Sequence, residues 1–274
     1  MNRSTPSPRT LKLTLAYDGT RYAGWQRQAN DKAPERHKVK GKRQKGGKST
    51  VQGTLEATLH RILQERVAVV GSGRTDAGVH AAAQVAHART RSPMPCGRLL
   101  RSLNALLPPD IAVLRIEDAP AAFHARFDTT VKRYRYRIAL GEAASPFDRP
   151  YVYHTRARLN VARMRREAVA LAGRHDFRAF ARWKGEAPAR ARRTITDVRL
   201  ARRGREVRLE VEGDGFLHTM VRSIAGTLID VGRGHLPSGT IRRMLATGDR
   251  RLAGTTAPPH GLILMEVRYG RTTR

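Results

Sequence analysis

Hydrophobic residues at Leu11, Leu13 and Leu15, separated by Lys12 and Thr14, predict a half-buried strand that runs through Tyr17 to a turn at Asp18-Gly19. Residues 1–10, polar and with two prolines, read as a frayed tail. Thr50 caps a predicted helix whose stripe is Val51, Leu55, Leu59, Ile62 and Leu63. The block Val67-Ala68-Val69-Val70, bounded by Gly71, reads as a short buried strand, and apolar character returns over 82–88 as a strand or short helix. An amphipathic helix over 98–106 is stopped by Pro108-Pro109, and Ile111 to Ile116 forms a strand. From Val131 to Leu140 the period is two: Tyr134, Tyr136, Ile138 and Leu140 share one face, and Arg133, Arg135 and Arg137 share the other.

In the second half, Val161, Met164, Ala168 and Leu171 mark a helix ending at Gly173, and 145–160, with two prolines, reads as the link between halves. His175-Asp176-Phe177 reads as a loop or helix cap in preference to a catalytic pair. Residues 181–193 form a basic loop. Two strands, Ile195 to Leu200 and Val207 to Val211, pair around Arg203-Gly204. A helix carrying Phe216, Met220, Val221, Ile224 and Leu228 follows Asp214-Gly215, a faint echo of the strand-then-helix order near Asp18-Gly19. The predicted class is α+β, with helices packed on a sheet.

Charge changes the picture. Lys and Arg number 53 against 23 Asp and Glu, a formal net charge of +30 and a pI near 11.6. A field of that sign gathers polyanions, so nucleic acid is the leading partner. Residues 29–50 carry eight of those bases and almost nothing apolar, and read as a mobile basic insertion that either adds phosphate contacts or is a neutral solvated excursion. One cysteine, Cys96, excludes an internal disulfide framework, and no HExxH or close ligand set points to a metal. The N-terminus lacks an apolar signal core and no run approaches the roughly 20 residues of a membrane span, so the expected location is the cytoplasm.

Candidate chemistry concentrates in residues 71–81, GSGRTDAGVHA, where Arg74, Asp76 and His80 are spaced by glycines. Glycines let the chain turn at positive φ and let a ligand approach closely, which suits a reactive carboxylate at a sheet rim. Asp76-Ala77-Gly78 by itself also fits an Asx-type turn. Tyr22 and Trp25 suit either an RNA-facing loop or core filling.

The eleven residues GSGRTDAGVHA resemble, almost letter for letter, the motif of the nucleophilic aspartate in TruA-type tRNA pseudouridine synthases. YDGTRYAGWQRQ, FHARFDTTVKRYRYRI, HDF, GDGFLHTMVRSIAGTLIDVGRG and AGTTAPPHGLILMEVRY resemble further family segments, so the likeness spans nearly the whole chain apart from 1–10 and 29–50. Departures stand at Ala83 and Ala88, where the family pattern has Gly and Phe.

The resemblance implies two α/β halves, 1–145 and 146–274, with a mixed, mainly antiparallel sheet and a central active-site cleft. It implies Asp76 as nucleophile, Arg222 as its ion-pair partner and Arg74 as the residue that helps the base flip. Tyr134 and Leu262 would line the uracil pocket, and Phe123, His124, Ala125, Arg126 and Phe127 would contact RNA. It further implies a homodimer acting on uridines 38 to 40 of the tRNA anticodon stem-loop. Isomerising uridine adds no atoms or electrons, so no cofactor is expected. Two rivals need other residues: a non-catalytic RNA-binding protein or chaperone has no use for the Asp76 loop, and a nuclease wants a His pair or a carboxylate cluster.

Overall fold

The computed structural model describes residues 7–27, 48–183 and 190–270, and the chain divides into two compact units, Met1–Thr129 with Tyr269–Arg274, and Thr130–Arg268. Most of the basic insertion therefore lies outside the described residues, as do 1–6 of the expected tail and part of the 181–193 loop.

In the first unit the order is β1 (Arg9–Tyr17), α1 (Val51–Leu63), β2 (Val69–Gly71), β3 (His80–Thr90), α2 (Cys96–Leu106) and β4 (Ile111–Ala119). Strand β1 pairs antiparallel with β3 on one side and β4 on the other, and β2 pairs antiparallel with β3. Leu11, Leu13 and Leu15 are fully buried, as their alternation requires. Arg9 and Thr10 belong to this strand and not to a tail, because β4 and β3 supply ladder partners for them out to Ala119 and Thr90. Helix α1 is capped by Thr50, whose Oγ1 accepts the Gly53 amide at 3.2 Å, and buries Val51, Leu55 and Leu59. Of the predicted 67–70 strand only Val69 and Val70 pair with β3, joined by Gly71; Val67 and Val69 are buried while Val70 faces outward. The segment after the Asp76 loop resolves as strand β3.

The second unit holds β5 (Thr129–Leu140), β6 (Tyr153–Thr155), α3 (Val161–Ala168), β7 (Gly173–Asp176), β8 (Arg192–Arg203), β9 (Glu206–Gly213), α4 (Met220–Arg233), α5 (Thr240–Thr247) and β10 (Leu262–Tyr269). Its strand order is β10-β5-β9-β8-β7, with β6 on β5. The β5/β9, β8/β9 and β7/β8 pairs are antiparallel and β5/β6 is parallel, which gives the mixed, mostly antiparallel sheet with flanking helices that α+β reading requires. Residues 145–160 lie inside this unit, where they form a 3-10 turn at Arg149–Tyr151 and then β6. The helix expected to reach Gly173 is α3 followed by a 3-10 turn at Val169–Leu171. His175 and Asp176 end strand β7, not a loop or helix cap, and the Asp176 carboxylate accepts the Arg178 amide at 2.9 Å at the start of the next turn. Helix α4 starts at Met220, leaving Phe216 in the preceding loop, and twelve of its fourteen residues are buried. Helix α5, which buries Ile241 and Met244, is seated by Glu167, whose carboxylate accepts the amides of Gly239 and Ile241.

Candidate active site

The loop between β2 and β3 is held from three sides in the first unit. From β1, the Tyr17 hydroxyl meets Thr75 Oγ1 at 2.9 Å, and burial pushes the Tyr17 phenol well above its ordinary range. From β3, the fully buried Gln84 accepts from Ser72 Oγ at 2.7 Å and donates to the Gly73 carbonyl at 3.0 Å. From the segment before α1, the Trp25 amide donates to the Thr75 carbonyl at 3.1 Å, while the Val51 and Gln52 amides at the start of α1 bond the Gly24 and Trp25 carbonyls. Gly24 has φ +104, and a β-carbon there would stand 2.6 Å from the Thr75 carbonyl oxygen, so only glycine lets the two loops press together.

On that support Thr75 is buried, Asp76 is half-buried and Arg74 is exposed. The Val79 amide closes the turn on the Asp76 carbonyl at 3.1 Å, with Gly78 at φ +78. His80 is buried and its Nδ1 lies 3.1 Å from the Gly19 amide and from Asp18 Oδ1, so this histidine anchors the Asp18-Gly19 turn. Tyr22 and Trp25 are core: both are buried, Trp25 stands against Gly71 and Tyr17, and the Tyr22 hydroxyl donates to Asp110 at 2.6 Å. That settles the open choice against an RNA-facing role for the two rings.

The 123–127 segment lies on β3 farther along, at His87. Ala125 is buried, its amide bonding His87 Nδ1 at 3.1 Å and its carbonyl accepting from Tyr269 and Thr129. His124 Nδ1 accepts the Arg126 and Phe127 amides, its ring stacks on Phe127 at 4.2 Å, and Phe127 is left 75% exposed beside Arg126. An exposed ring beside a guanidinium is a surface on which an unpaired base can stack.

In the second unit, Arg222 sits in the first turn of α4, and its Nε donates to the Ala257 carbonyl at 2.8 Å. Leu262, 5% exposed, opens β10. Tyr134 is buried on β5 with its ring edge-on to Phe216 at 5.1 Å. The arginines across β5 are committed to carboxylates: Arg133 to Glu266, Arg135 to Glu210, and Arg137 to Glu206 and Asp148. That face of the strand is a lattice of ion pairs. Among the described residues no group of three or more His, Cys, Asp and Glu could hold a metal ion, and no helix is long and apolar enough to cross a membrane. Ala88, one of the two departures, is buried between Leu11 and Val69, and Ala83 is half-buried on the same strand. Sequence reading missed Gln84 and Tyr17 as supports; the one available signal for the first was a lone amide in an apolar run.

Residues 14–128 and 168–270 match the model of a family described as tRNA pseudouridine synthase. The chain is 39% identical over 261 residues to tRNA pseudouridine synthase A 2 of Clostridium perfringens, covering 95% of this chain and 100% of that one. It is 43% identical to tRNA pseudouridine synthase A of Halalkalibacterium halodurans, over 92% and 90% of the two chains, and 43% identical to that of Bacillus subtilis, over 94% and 98%. Among solved structures, the crystal structure of a Cbf5-Nop10-Gar1 complex aligns at a TM-score of 0.34 and 14% identity, over 78% of this chain and 44% of that one.

Proposed function

Because the chain belongs to the tRNA pseudouridine synthase family, and so is an isomerase that converts uridine to pseudouridine in tRNA, we propose that Asp76 is the carboxylate that carries the reaction. The observation behind this reading is the GSGRTDAGVHA loop itself: an acid left half-buried on a turn whose neighbours, Thr75 and Ser72, are bonded to Tyr17 and Gln84. A reacting group needs that combination of access and fixed direction.

In the reaction the C1′–N1 bond breaks, the uracil turns, a C1′–C5 bond forms, N1 gains a proton and C5 loses one to water. Attack of a carboxylate at C1′, attack at C6, or removal of a sugar proton all reach this balance and divide one hard step into easier ones. Arg222 serves as the ion-pair partner that keeps Asp76 charged and aimed. A base inside a stem is out of reach, so the nucleotide is extruded at about a few kcal/mol; Arg74, exposed on the same loop, fills the space it leaves. Tyr134 and Leu262 line the uracil pocket, and 123–127 hold RNA beyond it. The substrate site is uridine 38, 39 or 40 in the anticodon stem-loop, and the working form is a homodimer that cradles one tRNA, both points resting on the motif resemblance; the location proposed is the cytoplasm.

Tritium release from tRNA labelled at uracil C5 tests the reading. The wild-type chain liberates one tritium per pseudouridine formed, and a folded Asp76→Asn protein liberates none. Turnover by that variant would remove Asp76 from the chemistry, and cut RNA in place of released tritium would indicate a nuclease.

A further inference from the structure

Between α5 and β10 the chain crosses α4 as a strap, residues 253–261, that ends where Leu262 begins. Its fit to the helix is close: a β-carbon on Gly226 would stand 1.6 Å from the Thr255 carbonyl oxygen. The Gly254 amide donates to Thr227 Oγ1 at 3.1 Å and the Thr255 amide to Asp230 Oδ2 at 2.9 Å. At the next turn the strap and Arg222 bond each other twice, the arginine Nε to the Ala257 carbonyl at 2.8 Å and the Ala257 amide to the Arg222 carbonyl at 3.1 Å. One residue on, the Pro258 carbonyl accepts the Tyr136 hydroxyl at 2.9 Å.

Tyr136 is fully buried on β5, and its ring packs against Gly261, where a β-carbon would come within 2.8 Å of Cζ. Burial pushes its phenol far above the ordinary range, so the hydroxyl keeps its proton and remains a donor. Ala257 and Pro258 also border a cavity of about 80 Å³ together with Tyr153, Ile229 and Arg233. There the directed hydrogen bond from Tyr136 adds to the close backbone fit between the strap and Gly226.

We propose that Tyr136 is a positioning residue, which fixes the 257–261 strap and through it the aim of Arg222 and the depth of Leu262. It touches no substrate, being 0% exposed. The proposal rests on the roles given above to Arg222 and Leu262.

The test is Tyr136→Phe, which keeps the ring against Gly261 and removes only the donor. Expected is a fall in kcat of about tenfold with KM for tRNA within about twofold, since ground-state binding is spread over the basic surface. In an Arg222→Lys background, itself slow, the same change adds less than about twofold, because two residues acting through one strap are not additive. Thr227→Val, an isosteric change that releases the strap at Gly254, gives a smaller loss of the same kind and serves if Tyr136→Phe does not fold. An unchanged kcat in the folded Tyr136→Phe chain, a loss confined to KM, or multiplying losses in the double variant overturns the proposal. A full rate for Arg222→Lys alone would instead sink the role assigned to Arg222, so the two failures are told apart.

Discussion

Gln84 shows how one buried side chain can hold the loop on which the chemistry is proposed to rest. Its amide serves Ser72 Oγ, the Gly73 carbonyl and the Val85 amide while 0% exposed. Gln84→Leu strands those groups in a dry interior, at about 1–3 kcal/mol each where no water replaces the bond. A melting temperature lower by several degrees and a drop in kcat are expected, read by calorimetry and tritium release. Gly24→Ala acts on geometry: at φ +104, with 2.6 Å to the Thr75 oxygen, the new methyl pushes the Asp76 turn away. Its expected result is at least a tenfold loss of rate with tRNA affinity nearly kept; an unaffected rate would mean the loops tolerate separation. Arg74→Ala belongs to the same scale, and should lower the rate more than affinity, because phosphate contacts elsewhere carry binding. Arg74, Asp76 and His80 were legible because glycine spacing and costly side chains stand together in the chain. The supports were not, because Tyr17 and Gln84 meet residues 58 and 12 positions away.

Elements followed their periods where one face was dry. Strands β1, β5 and β9 and helices α1 and α4 lie where alternation or the 3.6 repeat put them, since burial rewards one register only. Helix α5 has only eight residues, with Ile241 and Met244 buried on one face, and its start is fixed by Glu167 from another helix. Glu167→Ala is expected to destabilise the chain by about 1–2 kcal/mol through the uncovered amides, measurable by urea unfolding. The ion-pair face of β5 and β9 has a pH signature. Arg208 first, and Arg137 next, hold the Glu206 carboxyl down to about 2 against an ordinary 4.5, with burial opposing them. A folded-state pKa below the unfolded one means that this stability is complete above about 4.5 and is lost as pH falls toward 2. Urea midpoints at about pH 5 and about pH 2.5 should therefore differ less in Glu206→Gln than in the wild type; an equal gap would show that Glu206 contributes nothing to acid sensitivity.

At the scale of the molecule the excess of base dominates, at a net +30. Binding of tRNA should weaken by about a thousandfold between roughly 50 and 200 mM salt if roughly 6 phosphates are neutralised. A flat affinity across that range, by filter binding or anisotropy, would remove electrostatics from the account. The lattice on β5 bears on where those phosphates go: Arg133, Arg135 and Arg137 already face carboxylates, so the free base count on that face is less than the sequence suggests. By itself the sequence determined the α+β class, the partner's charge, the family and the acid on which the chemistry is proposed to rest, because each is written in residue type and short spacing. Tertiary structure alone decided that Tyr22 and Trp25 are core, that the β5 arginines are paired, and that the 253–261 strap bonds both Arg222 and the Tyr136 hydroxyl. Those depend on which distant segments meet, and contact between residues far apart in the chain leaves no period along it.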